Sequence, residues 1–272
     1  MSSLRQTLKA ALPAPVLEGV RETRDWLQRT AALPHATFHP WRRESIHQLA
    51  ALANSRRGER CFILGNGPSL RNTDLSRLRS EFTIGMNRIY LAFPELGFTT
   101  SYYLAVNDLV IEQSAADIRK LTMPRFISWR ARLWIPPQDG VHYLHTTYTG
   151  PHFATNAANR LWEGATVTYV ALQLAFHLGF EQVILIGVDH SFVTQGKPNT
   201  TVVSEGDDPN HFHPGYFNKG FRWQLPDLET SEQAYRMARQ VYERHGRQVV
   251  DATIGGKLRV FERREYDNLF PG

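Results

Sequence analysis

The residues best suited to chemistry fall in four short constellations. The first is Cys61-Phe62-Ile63-Leu64-Gly65-Asn66-Gly67-Pro68-Ser69-Leu70, an apolar run that ends in two glycines, an amide, a proline and a hydroxyl. Glycines let a backbone approach a phosphate closely, and N–H groups at a following helix start face an anion, so Asn66, Gly67 and Ser69 are expected to hold a phosphorylated ligand. The string lacks the lysine of a P-loop and the third glycine of the dinucleotide fingerprint, and a tight turn without ligand is the alternative. The second constellation repeats one device, an apolar strand ending in asparagine: Ile84-Gly85-Met86-Asn87 and Leu104-Ala105-Val106-Asn107-Asp108. Ligands of parallel sheets bind beyond the carboxyl ends of strands, so Asn66, Asn87 and Asn107 can converge on one crevice and read a ribose or base, although asparagine also simply forms turns.

The third constellation joins Gly164-Ala165-Thr166, which opens an apolar helix, to Val183-Ile184-Leu185-Ile186-Gly187-Val188-Asp189-His190. Thr166 is a phosphate contact or a plain N-cap, and Asp189 a ligand contact or a loop tie. The fourth is Asp207-Asp208-Pro209-Asn210-His211-Phe212-His213-Pro214-Gly215-Tyr216. A histidine there can move a proton near neutrality; the alternatives are a metal pair, for which no further ligand follows at zinc-like spacing, and a surface loop.

The elements that must position these groups alternate short apolar runs with helical stretches from residue 60 onward, the pattern of a parallel sheet with crossover helices. Strands are expected at 61–64, 82–86, 102–106, 125–128, 141–144, 183–186 and 248–250, and helices near 75–80, 115–120, 166–178 and 231–245. The stretch from His190 to Asp227 shows neither helix nor strand and reads as a lid. Residues 1–58 form an expected helical appendage, with an apolar stripe at Leu4, Leu8, Leu12, Val16 and Val20 that is broken by Pro13 and Pro15 and suits packing on the body or on another subunit. Residues 59–272 then make one Rossmann-like α/β domain, a mostly parallel sheet with helices on both faces and a lid at about 190–227.

With 272 residues, of which 42% are hydrophobic, the chain can bury one sizeable core. Its single cysteine, Cys61, sits in an apolar run and can form no internal disulfide. The N-terminus lacks the features of a signal peptide, and no stretch reaches transmembrane length, so a cytoplasmic location is expected. A net charge of +5 suits anionic partners, but the basic residues are scattered, the densest patch being Arg42, Arg43, Arg56, Arg57 and Arg60, and no nucleic-acid partner is expected. Peripheral membrane association and a homo-oligomer stay open.

Gly65-Asn66-Gly67-Pro68-Ser69-Leu70, then Met86-Asn87-Arg88, Leu178-Gly179-Phe180 and Gly187-Val188-Asp189, resemble the bacterial sialyltransferases that use CMP-sialic acid, and equally the MptE-like family named after a 6-hydroxymethylpterin diphosphokinase. The sialyltransferase resemblance implies a Rossmann-like domain with a lid, no metal cofactor, donor contacts on Asn66, Gly67, Ser69, Asn87, Asn107 and Thr166, and His213 or His211 as general base. The paired phosphate-binding tyrosines of those enzymes have Tyr216 as nearest counterpart, while Ser191-Phe192 follows Asp189 where a tyrosine would stand. Lys219 and Arg222 are the lid cations that would meet the leaving phosphate. The diphosphokinase resemblance implies Mg and ATP, with Asp108 and Asp189 holding the metal. Asn210-His211-Phe212-His213-Pro214-Gly215-Tyr216-Phe217 and Asp251-Ala252-Thr253-Ile254-Gly255-Gly256 resemble family members found near surface-polysaccharide genes. Sugar transfer from a nucleotide-sugar donor to a glycan acceptor is therefore the first expectation, diphosphate transfer the second, and a non-catalytic nucleotide-binding module the third.

Overall fold

The computed structural model describes residues 23, 26–27, 30–31, 33–193 and 196–270. Its centre is a nine-stranded sheet in the order β11-β10-β7-β1-β2-β3-β4-β5-β6, with every pairing parallel. The strands are β1 (Arg60–Leu64), β2 (Phe82–Met86), β3 (Tyr102–Ala105), β4 (Arg125–Ser128), β5 (Val141–Thr147), β6 (Arg160–Trp162), β7 (Gln182–Ile186), β10 (Gln248–Asp251) and β11 (Glu262–Arg263). Strand β1 shows why such runs carry no alternation: Cys61 and Ile63 enter one core, Phe62 and Leu64 the other, and all four are fully buried.

Four longer helices cover the faces: α1 (Pro40–Leu52), α2 (Asp108–Lys120), α3 (Val167–Leu178) and α4 (Leu228–Arg244). Helix α3 is buried from Thr168 to Leu178 and shares its core with Tyr242 of α4, while Ile111 and Ile118 of α2 pack in the core on the opposite face. Each start is set by a side-chain cap, Asn107 for α2, Thr166 for α3 and Asp227 for α4. Helix α3 ends at Gly179, whose φ of +98° closes the last turn and whose missing side chain admits the backbone of Asn54.

Chain order runs outward from β1 through β6 on one side, then returns to place β7 beside β1 with Leu64 level with Ile186. The sheet reverses direction there, so the crevice outside the carboxyl ends of β1 and β7 is the expected ligand position of this architecture.

All seven expected strands form, with small shifts at their ends. Helix α2 starts at Asp108 rather than 115, because Asn107 caps it, and residues 75–80 form only a 3-10 turn, Leu75–Leu78. The stretch 190–227 is not structureless: β8 (Thr201–Val203) pairs antiparallel with β9 (Arg222–Gln224), a contact between distant short segments that leaves no local periodicity. Strands β6 and β11 are too short to show one either. In the expected appendage, residues 33–38 are helical and α1 lies against the sheet, its Ser45 hydroxyl accepting from Tyr143 N–H of β5 at 2.9 Å. The stripe from Leu4 to Val20 lies outside the described residues.

Candidate functional site

A cleft of about 270 Å3 opens at the switch point. Its floor is the pair of loops that leave β1 and β7. Gly65 N–H donates to Ile186 O at 2.8 Å, and Gly67 N–H donates to Gly187 O at 2.9 Å. A side chain on Gly65 would overlap the Gly187 carbonyl, and one on Gly67 would overlap the Asp189 carboxylate. Ser69 donates twice to Asp189, from N–H to Oδ1 at 3.1 Å and from Oγ to Oδ2 at 2.6 Å. The glycines therefore serve a close approach of two loops, and the Gly67 and Ser69 amides face protein acceptors rather than the cleft. Burial pushes the Asp189 carboxyl above its ordinary range, against the pull of the two Ser69 hydrogen bonds.

The three asparagines do converge, each lining the cleft from the end of its strand, yet they do different work. Asn66 donates Nδ2–H to Met86 O at 3.0 Å, while its Oδ1 is buried without a partner. Asn87 holds a left-handed φ of +51°, and its Oδ1 is also buried and unpartnered. Two acceptors so placed fit the hydroxyl or amino hydrogens of a ligand. Asn107 is instead a helix cap, Oδ1 accepting from Leu109 and Val110 N–H, with Nδ2 3.3 Å from Gln224 Oε1.

The lid closes over this floor and is fastened to it. Phe212 N–H donates to Asn66 O at 2.9 Å, and Arg71 donates to the carbonyls of His211 and Phe212 at 2.9 and 2.7 Å. His211 lines the cleft; its Nδ1 lies 2.7 Å from Asp208 Oδ2, and its ring stacks on Tyr216 at 3.9 Å between centroids. Asp208 is itself buried and fixed by Asn210 N–H at 2.9 Å. With Nδ1 turned to the carboxylate, Nε2 is the ring nitrogen that Asp208 leaves free. Tyr216 also lines the cleft, fully buried, with its hydroxyl pushed up by burial and its carbonyl held by Arg88.

His213 and the two lid cations stand elsewhere. His213 accepts from Gly215 N–H at 3.0 Å outside the cleft lining, Lys219 is exposed, and Arg222 pairs at the surface with Glu112 at 2.8 Å. Among the described residues that line the cleft there is no lysine or arginine, while Glu163, Asp189 and Asp227 bring carboxylates.

The remaining wall comes from the segments that follow β3, β5 and β6 and from two helix starts. Arg130 reaches Asp108 at 2.9 Å, Glu163 at 2.7 Å and Thr146 O at 2.8 Å, and lies over the Tyr148 ring at 4.3 Å. Burial opposes its charge, but Glu163, Tyr148 and Asp108 together hold Arg130 above its ordinary value; burial in turn pushes the Glu163 carboxyl up against the pull of Arg130. Beyond Glu163, Ala165 adopts φ +59° and lines the cleft, followed by Thr166, which caps α3 through Thr168 N–H and whose hydroxyl lies 3.3 Å from the Tyr235 hydroxyl. His190, with φ +53°, lines the same cleft from the β7 loop and pairs with Glu232 at 3.2 Å.

Of Asp108 and Asp189, the carboxylates expected to hold magnesium, Asp108 pairs through Oδ2 with Arg130 outside the cleft lining and keeps Oδ1 buried without a partner, while both oxygens of Asp189 accept from Ser69. Among the described residues no group of three or more His, Cys, Asp or Glu is arranged to hold a metal ion. Sequence reasoning assigned no role to His190, Glu232, Arg130, Glu163 or Tyr148, and took Asp208 only as one of two aspartates beside the lid histidines. Only Asp208 left a local signal, its three-residue spacing to His211.

A parallel, doubly wound sheet with its cleft at the switch point is a Rossmann-like α/β fold. Residues 41–195 match the family described as 6-hydroxymethylpterin diphosphokinase MptE-like, and the chain belongs to that MptE-like family. The match covers the floor and ends before most of the lid. Among solved structures, the MAf glycosyltransferase from Magnetospirillum magneticum AMB-1 is similar with a TM-score of 0.49 and 16% identity, over 96% of this chain and 43% of that one, so this chain spans less than half its length. No curated protein matches the chain. Among the described residues, no helix is long and apolar enough to cross a membrane.

Proposed function

We propose that the chain is a glycosyltransferase that draws a nucleotide-activated sugar, CMP-linked, into the switch-point cleft and passes the sugar to a glycan acceptor in surface polysaccharide or glycan synthesis. The observation that carries this reading is the Asp208–His211 pair, buried in the lid with the ring on the cleft. In the proposed step His211 Nε2 takes the acceptor hydroxyl proton as the oxygen bonds the anomeric carbon; the bond from that carbon to the phosphate oxygen breaks, and its electron pair leaves with the nucleotide. Asp208 steadies the imidazolium that results.

The charge of the cleft supports the choice of donor. A CMP-linked sugar carries a single phosphodiester charge, which hydroxyls and the start of α3 can meet; a triphosphate would bring several charges to a lining with three carboxylates and no arginine or lysine among the described residues. The free carbonyls of Asn66 and Asn87 suit the hydrogen-bond donors of a ribose and of an amino-bearing base.

Diphosphate transfer from ATP is the second reading, favoured by the family's description. Thermal-shift measurements with CMP, CDP, UDP, GDP and ATP, each with and without magnesium, separate the two. CMP or another cytidine nucleotide should stabilise the protein without metal. A response to ATP alone, strengthened by magnesium, would replace sugar transfer with diphosphate transfer, and no response to any nucleotide would leave a non-catalytic module. His211→Asn should lower sugar-transfer turnover at least about a hundredfold.

A further inference from the structure

A nucleotide leaving group concentrates negative charge on its phosphate, and the glycine loop turns its Gly67 and Ser69 amides away from the cleft. The cation-capable side chains on the described lining are His211 and His190. His211 is committed by Asp208 to the lid side. His190 sits on the β7 loop with only 8% of its side chain exposed, its Nε2 3.2 Å from Glu232 Oε1 and its ring 6.1 Å from that of Tyr235. Glu232 is in turn held by Arg236 at 2.5 Å. Tyr235 reaches the Thr166 hydroxyl, and Thr166, Val167 and Thr168 line the cleft at the start of the twelve-residue helix α3. Thus a histidine–carboxylate pair and a helix start are brought together on one wall. A left-handed backbone at a bulky residue costs about 1–3 kcal/mol and persists where surrounding contacts fix it, and here that conformation delivers the His190 ring to Glu232.

We propose that His190, held by Glu232, binds the phosphate of the nucleotide and supplies its countercharge beside the N-terminus of α3. This rests on the nucleotide-donor reading above. In the protonated ring Nε2–H donates to Glu232 and Nδ1–H is the donor left for a phosphate oxygen. The charged or titratable neighbours of the ring are Glu232, Tyr235, the adjacent Asp189 and, through Glu232, Arg236; Glu232 positions the ring rather than touching the ligand.

Calorimetric affinities for CMP and for cytidine, measured on the full chain, test this assignment. Asparagine tolerates a left-handed backbone, so His190→Asn removes the ring while keeping the loop. The native protein should prefer CMP to cytidine; His190→Asn should weaken CMP by at least about tenfold, the loss of one charge-assisted contact, and leave cytidine within about twofold. Glu232→Gln should fall between, with a smaller loss confined to CMP. Equal CMP preference in native protein and His190→Asn, or a parallel loss of both ligands, overturns the role of His190 and leaves the nucleotide reading standing. A native protein that binds cytidine and CMP equally also overturns it. If the native protein binds neither CMP nor cytidine, the donor reading fails and this assignment with it.

Discussion

Replacing Arg130 by methionine removes one guanidinium and strands a carboxylate. Arg130 donates to Asp108 Oδ2 at 2.9 Å, to Glu163 at 2.7 Å and to the carbonyls of Thr146 and Val106 at 2.8 and 3.2 Å, so it ties the ends of β3 and β5 to the loop after β6. The two acids do not share the damage equally: Asp108 is 31% exposed at its side chain and can turn to water, whereas Glu163 is 7% exposed. Breaking a buried pair from one side costs about 3–5 kcal/mol, nearly all of it here from Glu163. The expected loss for Arg130→Met is therefore about 3–5 kcal/mol near neutral pH, read by urea unfolding followed through tryptophan fluorescence. Adding Glu163→Gln removes the stranded charge and should recover at least about 2 kcal/mol, a coupling that a double-mutant cycle isolates. The deficit of Arg130→Met should also shrink as pH falls. Burial already pushes the Glu163 carboxyl up, and without Arg130 only the Thr146 hydroxyl is left to oppose burial, so the folded state takes the proton before the unfolded chain does. A loss below about 1 kcal/mol, or a double variant no more stable than the single, would refute the reasoning.

Three further outcomes follow from the same geometry. Gly67→Ala places a methyl on the Asp189 carboxylate and should cost about 1–3 kcal/mol of stability and abolish nucleotide-induced stabilisation, both read in one melting series. His145, buried on β5, has its pKa lowered to about 4 by burial and by Arg42, Arg160 and Arg130, so stability should be full above about pH 6.5 and fall by up to about 3 kcal/mol as pH drops toward 4; the urea midpoint followed against pH should lose that slope in His145→Asn. Asp208→Asn should keep the lid folded yet lower turnover at least about tenfold without changing CMP affinity, because Asp208 orients His211 and does not touch the phosphate.

The sheet was legible because parallel strands buried on both faces must be short uninterrupted apolar runs, as at Cys61–Leu64 and Val183–Ile186. Strands β8 and β9 were not, since each is three residues long and they pair across the eighteen residues 204–221. The convergence of Asn66, Asn87 and Asn107 could be read, because the carboxyl ends of neighbouring parallel strands lie side by side. Their roles could not: whether an asparagine caps a helix, as Asn107 does, or keeps a buried carbonyl without a protein partner, as Asn66 and Asn87 do, depends on the residues that follow in space. Arg130, Glu163 and Tyr148 stayed hidden for the same reason, being joined only by the fold.

The Gly65-Asn66-Gly67-Pro68-Ser69 loop shows where local reasoning divides. A loop that opens its amides to an anion and a loop that closes them on a neighbouring strand both forbid a side chain, so the same glycines satisfy both designs. Here the second holds at Gly67 and Ser69, because their amides donate to Gly187 O and to Asp189. The floor then fixes the mutual position of the two switch-point loops, with the unpartnered carbonyls of Asn66 and Asn87 buried beside it. A nucleotide that enters with its ribose or base toward Asn66 and Asn87 must carry its phosphate to another wall, and the start of α3, with Thr166, Thr168 and His190 around it, is the wall that offers hydrogen-bond donors. That placement makes a sharp distinction: Asn66→Ala should weaken cytidine and CMP alike, whereas His190→Asn should weaken CMP alone. Were Asn66→Ala selective for the phosphate, the ligand would lie in the opposite sense and the glycine loop would regain the anion.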